Sequence, residues 1–540
     1  MVSRDTPHLT ATPIMMSAVW LGLGGLAQAL ALAWPWGGQS LPALQIIGLA
    51  SLATYLVQCQ NPKTAFWRSW WFATVWLVGT FWWLFISLHT YGGMNPLLAA
   101  IAVVLLAAAL ALYYAGAGWA TAKIMASEKR SMTVSILVFA STWTLAEVAR
   151  AVLFTGFPWG AVGYAHVDGV LSSFAPWVGV YGMGWLAAAT AMAIARLLIR
   201  CKHKSTHTQG HPERLIWGGM ALACLLVVQA PGYKYKFSSA SASGDLQVHL
   251  MQGNIGQSEK FQPNTGIAQA LRWYQQALLN VNSGLAIAPE TALPLLPMHL
   301  PVGYWEQLRQ HFVSGSAAAL VGVPWKTSHA AGEATYSNAA IGWMPAQTQD
   351  YRYEKHHLVP FGEFVPPMFR WFTQLMNMPL GDFKAGGAYP ATFDWQGQRI
   401  APNICYEDLF GEELARSFID PSRAPTVMVN ISNIAWFGDT IAIDQHLNIA
   451  RLRSLEFQRP MVRSTNTGMT AVIDHQGRVT AQLPRHSAGV LVALVEGRAD
   501  TPTWFAQWAS RWHLWPLVTL CGLILLWGWA RRFRVPTAEA

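Results

Sequence analysis

Asn403-Ile404-Cys405-Tyr406-Glu407-Asp408 is the stretch on which the reading of this chain turns. The run Ile400 to Glu407 reads as a short buried strand ending in polar residues, and Cys405 stands at its end. The other four cysteines, Cys59, Cys201, Cys224 and Cys521, lie in or beside long apolar runs, so Cys405 has no disulfide partner in its own polar stretch, residues 245–505. On an oxidising face such a thiol has no structural explanation. A nucleophile is the better reading.

Outward from this stretch the composition changes. The 540 residues are 53% hydrophobic and only 12% charged, too apolar for an ordinary soluble protein and too long for one domain. A membrane crossing needs about 20 mainly apolar residues. Seven such runs precede the polar stretch, near 14–34, 41–59, 67–88, 97–120, 132–152, 171–198 and 215–232, and an eighth follows near 513–530. The expected architecture is a polytopic α-helical membrane domain (1–232, seven spans), a globular domain (245–505) and a C-terminal eighth span (513–530). The first run lacks a small-residue cleavage site followed by polar sequence, so it is expected to be retained.

Cations set the orientation. Lys63 and Arg68 lie in the second connection, Lys123, Lys129 and Arg130 in the fourth, Arg196, Arg200, Lys202, Lys204 and Arg214 in the sixth, and Arg531, Arg532 and Arg534 in the tail. The first and third connections carry none. By the positive-inside rule both termini are expected in the cytoplasm and the globular domain on the outer side of the membrane. Much of the net charge of +9 sits in these cytoplasmic segments, beside anionic headgroups, so nucleic acid is not an expected partner. No C-x-x-C or H-E-x-x-H spacing and no phosphate-binding glycine loop occurs, which leaves no expected metal or cofactor. Glu147 and Arg150, three residues apart near the outer end of the fifth run, are spaced to pair on a helix, with headgroup contact as the second reading.

In the polar stretch, strand-like runs at Leu246–Asn254, Leu285–Glu290, Ala319–Val323, Ile400–Glu407 and Thr426–Ser432 alternate with helical stretches such as Thr265–Leu279 and Leu447–Phe457. This predicts a layered α/β domain, whose reactive groups project from strand C-termini. Three qualify: Glu290, Cys405, and Lys355 opening Lys355-His356-His357. Singly, each has an ordinary alternative: a turn or cap, a buried thiol, a solvated cation. Together they form a device, because a thiol attacks a carbonyl only as thiolate, for which a carboxylate base and a nearby cation suffice. The tetrahedral intermediate then needs positive charge or N–H donors, which Lys355 and a backbone N–H near Tyr406 could supply.

These residues resemble the nitrilase (carbon–nitrogen hydrolase) superfamily through Pro289-Glu290-Thr291, Glu354-Lys355 and Cys405-Tyr406-Glu407. The similarity is closer to its membrane branch, the apolipoprotein N-acyltransferases. Gln252-Gly253-Asn254-Ile255, the stretch from His357 through Phe361-Gly362-Glu363-Phe364 to Pro366, Ser432-Asn433 with Ala435-Trp436-Phe437-Gly438, Arg463 to Gly468, and Thr155-Gly156-Phe157-Pro158-Trp159 all carry it. The resemblance implies an αββα sandwich with Glu290 as general base, Lys355 as oxyanion stabiliser and Cys405 as nucleophile. It implies Glu363 as a second active-site carboxylate, with Tyr406 and Glu407 shaping the pocket. Phe261, Phe361, Phe364, Trp436 and Phe437 are candidates for a hydrophobic cover or lipid contact, with ordinary core as the alternative. Two departures stand out: Ile434 where the family has Asp, and Phe261 where Trp is familiar.

The resemblance further implies a ping-pong reaction: a phospholipid, by resemblance phosphatidylethanolamine, acylates Cys405, and the thioester passes to the free α-amino group of a diacylglyceryl-lipoprotein, completing its maturation. Membrane lipids are then the surroundings, and a monomer is expected. The nearest alternative is a membrane-anchored nitrilase-type amidohydrolase, in which water replaces the amine. A transporter or scaffold would carry intramembrane charges along a path, and the spans contain few.

Overall fold

The computed structural model describes residues 14–126, 131–203, 219–220, 222–223, 226–227, 242–257, 260, 262–328, 334–365, 383–387 and 391–531. The seventh apolar run and Phe261 therefore lie largely or wholly outside the described residues.

The first half is helical: α1 Ile14–Leu32, α2 Pro42–Gln58, α3 Pro62–Phe81, α4 Pro96–Met125, α5 Met132–Val152 and α6 Ala175–His203. Prolines open α2, α3 and α4, where the missing N–H has no intrahelical partner to lose. Asn61 and Asn95 cap α3 and α4 by accepting from Lys63 N and Thr64 N, and from Leu97 N. Four described helices have the length and apolarity of a span, or six if each of two bent pairs counts as one. The third run is one of these pairs: it bends by 62° after Phe81. At the C-terminus, Trp504–Trp512 meets Trp515–Ala530 at 88°. The first of those helices packs Phe505, Ala506 and Ala509 with Phe418 and Phe457 of the globular half, while Trp504 and Trp512 stay exposed.

Glu147 and Arg150 correct their sequence reading. Both are buried, which removes the headgroup alternative, and among the described residues they form no ion pair with each other. Each instead holds the loop that follows α5. Arg150 donates to Tyr114 Oη and to the carbonyls of Phe157 and Trp159, at 2.9, 2.6 and 2.7 Å, and Glu147 accepts from Val162 N at 2.8 Å. Helical spacing brings two side chains to one face, but this loop offers unsatisfied backbone groups on that same face. The loop wins.

The second half is a sandwich. Among the described residues, one six-stranded sheet has the order β12-β1-β2-β3-β4-β5 and the other β11-β10-β9-β8-β7-β6. Their ranges are β1 Ala242–Gln252, β2 Leu285–Ile287, β3 Ala318–Ser328, β4 Ala334–Trp343, β5 Tyr351–Glu354, β6 Phe393–Trp395, β7 Gln398–Ile404, β8 Val427–Ser432, β9 Met461–Thr465, β10 Ala471–Ile473, β11 Val479–Gln482 and β12 Gly489–Arg498. Alternate residues such as Leu246, Val248 and Leu250 meet Ile400, Ile404, Val429 and Ile431 between the sheets. Helices Ala268–Leu279 and Tyr304–Ser314 cover the outer face of the first sheet, and Ala442–Phe457 that of the second. This is the αββα arrangement.

The two halves share one core. Tyr406, Leu409, Phe410, Ile434, Ile443, Ile449 and Leu452 pack in the same cluster as Trp76, Trp83, Trp159 and Tyr181 of the membrane helices and their loops. Polar ties reinforce it: Gln445 Oε1 accepts from both Trp83 Nε1 and Trp159 Nε1, at 3.1 and 2.8 Å, and Glu456 Oε1 accepts from Val180 N at 2.7 Å. Buried indole and backbone N–H groups would otherwise stay unsatisfied.

Candidate active site

Parallel pairing places the reactive groups. β2 runs parallel to β1 and β3, and β8 parallel to β7 and β9, so the residues just beyond β2, β7 and β8 gather at one end of the sandwich. Glu290 follows β2, Cys405 follows β7 and Asn433 follows β8, while Lys355 follows the antiparallel β5. Gly322 in β3 permits this crowding, because a Cβ there would lie 2.2 Å from Pro289 O and 2.8 Å from Glu290 Cα. Cys405 itself has φ +54, a left-handed conformation that a non-glycine residue adopts only when its surroundings enforce it. The turn projects the thiol from the strand end into the short 3-10 helix Cys405–Leu409.

Lys355 Nζ, fully buried, lies 3.3 Å from Glu290 Oε1 and 2.9 Å from Glu363. Asn338, on β4, donates from Nδ2 to both carboxylates, at 2.7 Å to Glu290 and 2.8 Å to Glu363. Asn433 N donates to the other Glu290 oxygen at 2.9 Å, and Val359 N to Glu363 at 2.8 Å. Burial alone would lower the ammonium's pKa, but Glu363 and Glu290 overcome it and hold Lys355 charged well above the usual lysine range. Cys405 is partly exposed yet densely surrounded. Desolvation pushes its thiol up to about 12, Glu290 adding to the rise and Lys355 opposing it. The resting sulfur is therefore a thiol beside the Lys355 ammonium and the Glu290 side chain, and a thiol so placed can react as a nucleophile only with a base that takes its proton as the bond forms.

Glu407 joins the Cys405 turn to the Lys355 loop. One oxygen accepts from Ile404 N and Tyr353 Oη at 2.6 and 2.7 Å, the other from His356 N and His357 N at 2.6 and 3.1 Å. A single buried carboxylate thus fixes the residue before Cys405 and the two after Lys355. The histidines point elsewhere: His356 Nδ1 lies 3.0 Å from Gly386 O, and His357 sits between Glu413 and Thr155 O.

Tyr406 turns toward the membrane half. Its hydroxyl donates to Gly156 O at 3.1 Å and its ring stacks on Phe157, so the Cys405 turn rests on the loop that Arg150 and Glu147 hold. The aromatic candidates divide. Phe437 packs 4.3 Å from Trp83 and belongs to the interface with the helices. Trp436 is 37% exposed, its ring edge-on to Tyr91. Phe361 N donates to Phe364 O at 2.9 Å, making the turn that carries Glu363. Ile434, buried, packs against Gly468, where a Cβ would approach Ile434 Cγ2 to 2.5 Å. That position is apolar core.

Sequence reasoning missed Asn338 and Lys260. Asn338 had a legible signal, an amide in the apolar strand run Ala339-Ala340-Ile341, where burial demands partners. Lys260 had none, since a lysine in a polar loop normally reads as solvated. Here it is 1% exposed, with Nζ donating to Thr291 Oγ1 at 2.6 Å and Glu290 O at 3.3 Å. Among the described residues no cluster of His, Cys, Asp and Glu is arranged to hold a metal ion.

Fold and site together define a carbon–nitrogen hydrolase domain fused to a bundle of apolar helices. Residues 248–500 match the family model described as carbon-nitrogen hydrolase, and residues 27–193 match that described as the apolipoprotein N-acyltransferase N-terminal domain. The chain is 50% identical to the apolipoprotein N-acyltransferase of Verminephrobacter eiseniae, over 92% of this chain and 93% of that protein. It is 40% identical to that of Ralstonia nicotianae, over 90% and 88% respectively. This chain belongs to the apolipoprotein N-acyltransferase family.

Proposed function

We propose that the protein transfers an acyl chain from a phospholipid to the free α-amino group of the S-diacylglyceryl cysteine of lipoproteins, through a thioester on Cys405. The carrying observation is that Cys405, on a left-handed turn, is bound through Glu407 to the Lys355 loop and through Tyr406 to the loop of the membrane helices. A nucleophile seated there meets lipid without extracting it. Extraction would expose chains at about 0.8 kcal/mol per CH₂.

In the first half-reaction Cys405 Sγ attacks the ester carbonyl while its proton passes to Glu290. Lys355 stabilises the oxyanion together with a backbone N–H near Tyr406. Collapse breaks the C–O bond, and Glu290 returns the proton to the departing lysophospholipid oxygen. In the second, the α-amine, with a reference pKa of about 8, attacks the thioester and gives its proton to Glu290. Collapse breaks the C–S bond, and the proton goes back to sulfur. Glu363 keeps Lys355 in place through both. Phosphatidylethanolamine is the expected donor, and Trp436, Phe361, Phe364 and Phe261 are candidates for shielding the thioester from water.

The orientation rests on the helices. Val180 is tied to the catalytic half, whereas Arg196 and Arg200 lie about 25–30 Å along the same helix at 1.5 Å per residue. Lys123 lies over the rings of both Trp119 and Trp529, which puts the ends of α4 and of the last helix on one side. Cations at the far ends favour a periplasmic catalytic domain and cytoplasmic termini, in the bacterial inner membrane.

Intact-mass analysis after incubation with phospholipid tests the reading. One added acyl group on the wild type, none on Cys405→Ser, and lysophospholipid with N-acylated lipoprotein once acceptor is supplied are expected. Free fatty acid or ammonia as sole product would overturn it.

A further inference from the structure

Lys260 is a buried cation that the reaction just described does not use. Among the described residues it makes no ion pair with a carboxylate; instead its Nζ binds two consecutive residues, the carbonyl of Glu290 and the hydroxyl of Thr291. Those residues form a strained turn, Thr291 having φ +47. A threonine resists that conformation, so something must hold it. The same short segment also reaches the carboxylate end of Glu290, because Gln257 Oε1 accepts from Asn433 Nδ2 at 3.0 Å while Asn433 N donates to Glu290 Oε2. Glu290 is thus gripped at its backbone by Lys260 and at its carboxylate through Asn433.

We propose that Lys260 is a positioning residue for the general base: its ammonium clamps the left-handed Glu290–Thr291 turn and holds a second positive charge beside the nucleophile. The proposal rests on the reading of Glu290 as base and Cys405 as nucleophile. A neutral hydrogen-bonding residue could have tied the turn without the desolvation penalty of a buried ammonium. The penalty is retained where the charge itself has a use, and among the described residues the charged or titratable groups that face Lys260 are Glu290 and Cys405. Desolvation lowers Lys260 to about 8, with Glu290 and Cys405 opposing that fall. The cation is accordingly present at pH 7 and is lost as the pH climbs through that value.

The test compares Lys260→Met, Lys260→Arg and Thr291→Val with wild type in the full-length, detergent-solubilised protein, with phosphatidylethanolamine vesicles as donor. Two quantities are read: the single-turnover rate of Cys405 acylation, and the rate of Cys405 alkylation by iodoacetamide at pH 7, which needs no lipid. Lys260→Met is expected to slow acylation by about 10- to 100-fold with little change in KM, the scale of a misplaced catalytic group. It is also expected to slow alkylation about tenfold, the consequence of a thiol pKa raised by about one unit. Thr291→Val removes the shorter of the clamp's two bonds and leaves the weaker one to Glu290 O, but keeps the charge, so acylation slows while alkylation stays at the wild-type rate. Lys260→Arg restores alkylation. If Lys260→Met acylates and alkylates as wild type does, the proposal falls, whereas if Glu290→Gln or Cys405→Ser retains acylation, the underlying reading falls instead. Should Lys260→Met not fold, Thr291→Val decides: unchanged acylation there overturns the clamp, and slowed acylation with unchanged alkylation supports it.

Discussion

Replacing Glu407 with Gln tests the inference that one buried carboxylate aligns nucleophile and lysine. The side chain is 3% exposed and accepts four hydrogen bonds, two at each oxygen. An amide presents one oxygen and one NH₂. If the NH₂ takes the side facing His356 N and His357 N, two backbone donors are orphaned. If it takes the other side, Tyr353 can rotate its hydroxyl to accept, and only Ile404 N is orphaned. The second is cheaper. One buried unsatisfied N–H costs about 1–3 kcal/mol, and exchanging charged for neutral acceptance weakens the remaining bonds, so a loss of about 3 kcal/mol is expected. Ile404 precedes Cys405, the proposed nucleophile, so acylation should also fall by about 100-fold, the effect of a shift near 1 Å. Thermal unfolding in detergent and single-turnover acylation measure the two effects. A Glu407→Gln protein with wild-type stability and acylation would refute the argument. Loss of stability alone would confine Glu407 to the fold.

Further outcomes follow from the same geometry. Glu290→Gln should retain the fold and lose acylation by about 10²- to 10⁴-fold, the range for a general base, as seen by single-turnover kinetics. Iodoacetamide alkylation of Cys405 should keep rising with pH through 9, because its raised pKa leaves the resting sulfur protonated below about 12; a plateau near neutrality would contradict a desolvated thiol held beside Glu290. Arg150→Met removes three hydrogen bonds from a buried guanidinium and should destabilise by about 3–5 kcal/mol, with acylation falling because the loop under Tyr406 loosens. Phe157→Ala, read by the same assays, should show a smaller loss in the same direction.

Hydrophobic runs alone placed the membrane half and the globular half, since bilayer thickness fixes how much apolar sequence a span requires. Strand-end logic picked out Glu290 and Cys405, because parallel pairing sends strand C-termini to one edge whatever the loops do, and Lys355, which follows the antiparallel β5, reaches the same edge. Glu363 came from resemblance, and the structure sets it against Lys355 at 2.9 Å. Other features were beyond reach of the sequence. The bends after Phe81 and at His513 depend on what the helices pack against, and apolar composition says nothing about that. Glu147 and Arg150 have pairing distance in sequence, yet the loop at 156–162 has the stronger claim on both.

Local chemistry thus determined which residues could react and on what kind of scaffold. Only the tertiary structure decided which groups hold them: Asn338 bridging two carboxylates, Glu407 tying two loops, Tyr406 seated on Gly156 and Lys260 gripping the turn at Glu290. The physical reason is that a reactive side chain is recognisable by its own chemistry. A supporting one is defined by its partners, which stand up to 250 residues away in sequence and meet only when both halves close on one core.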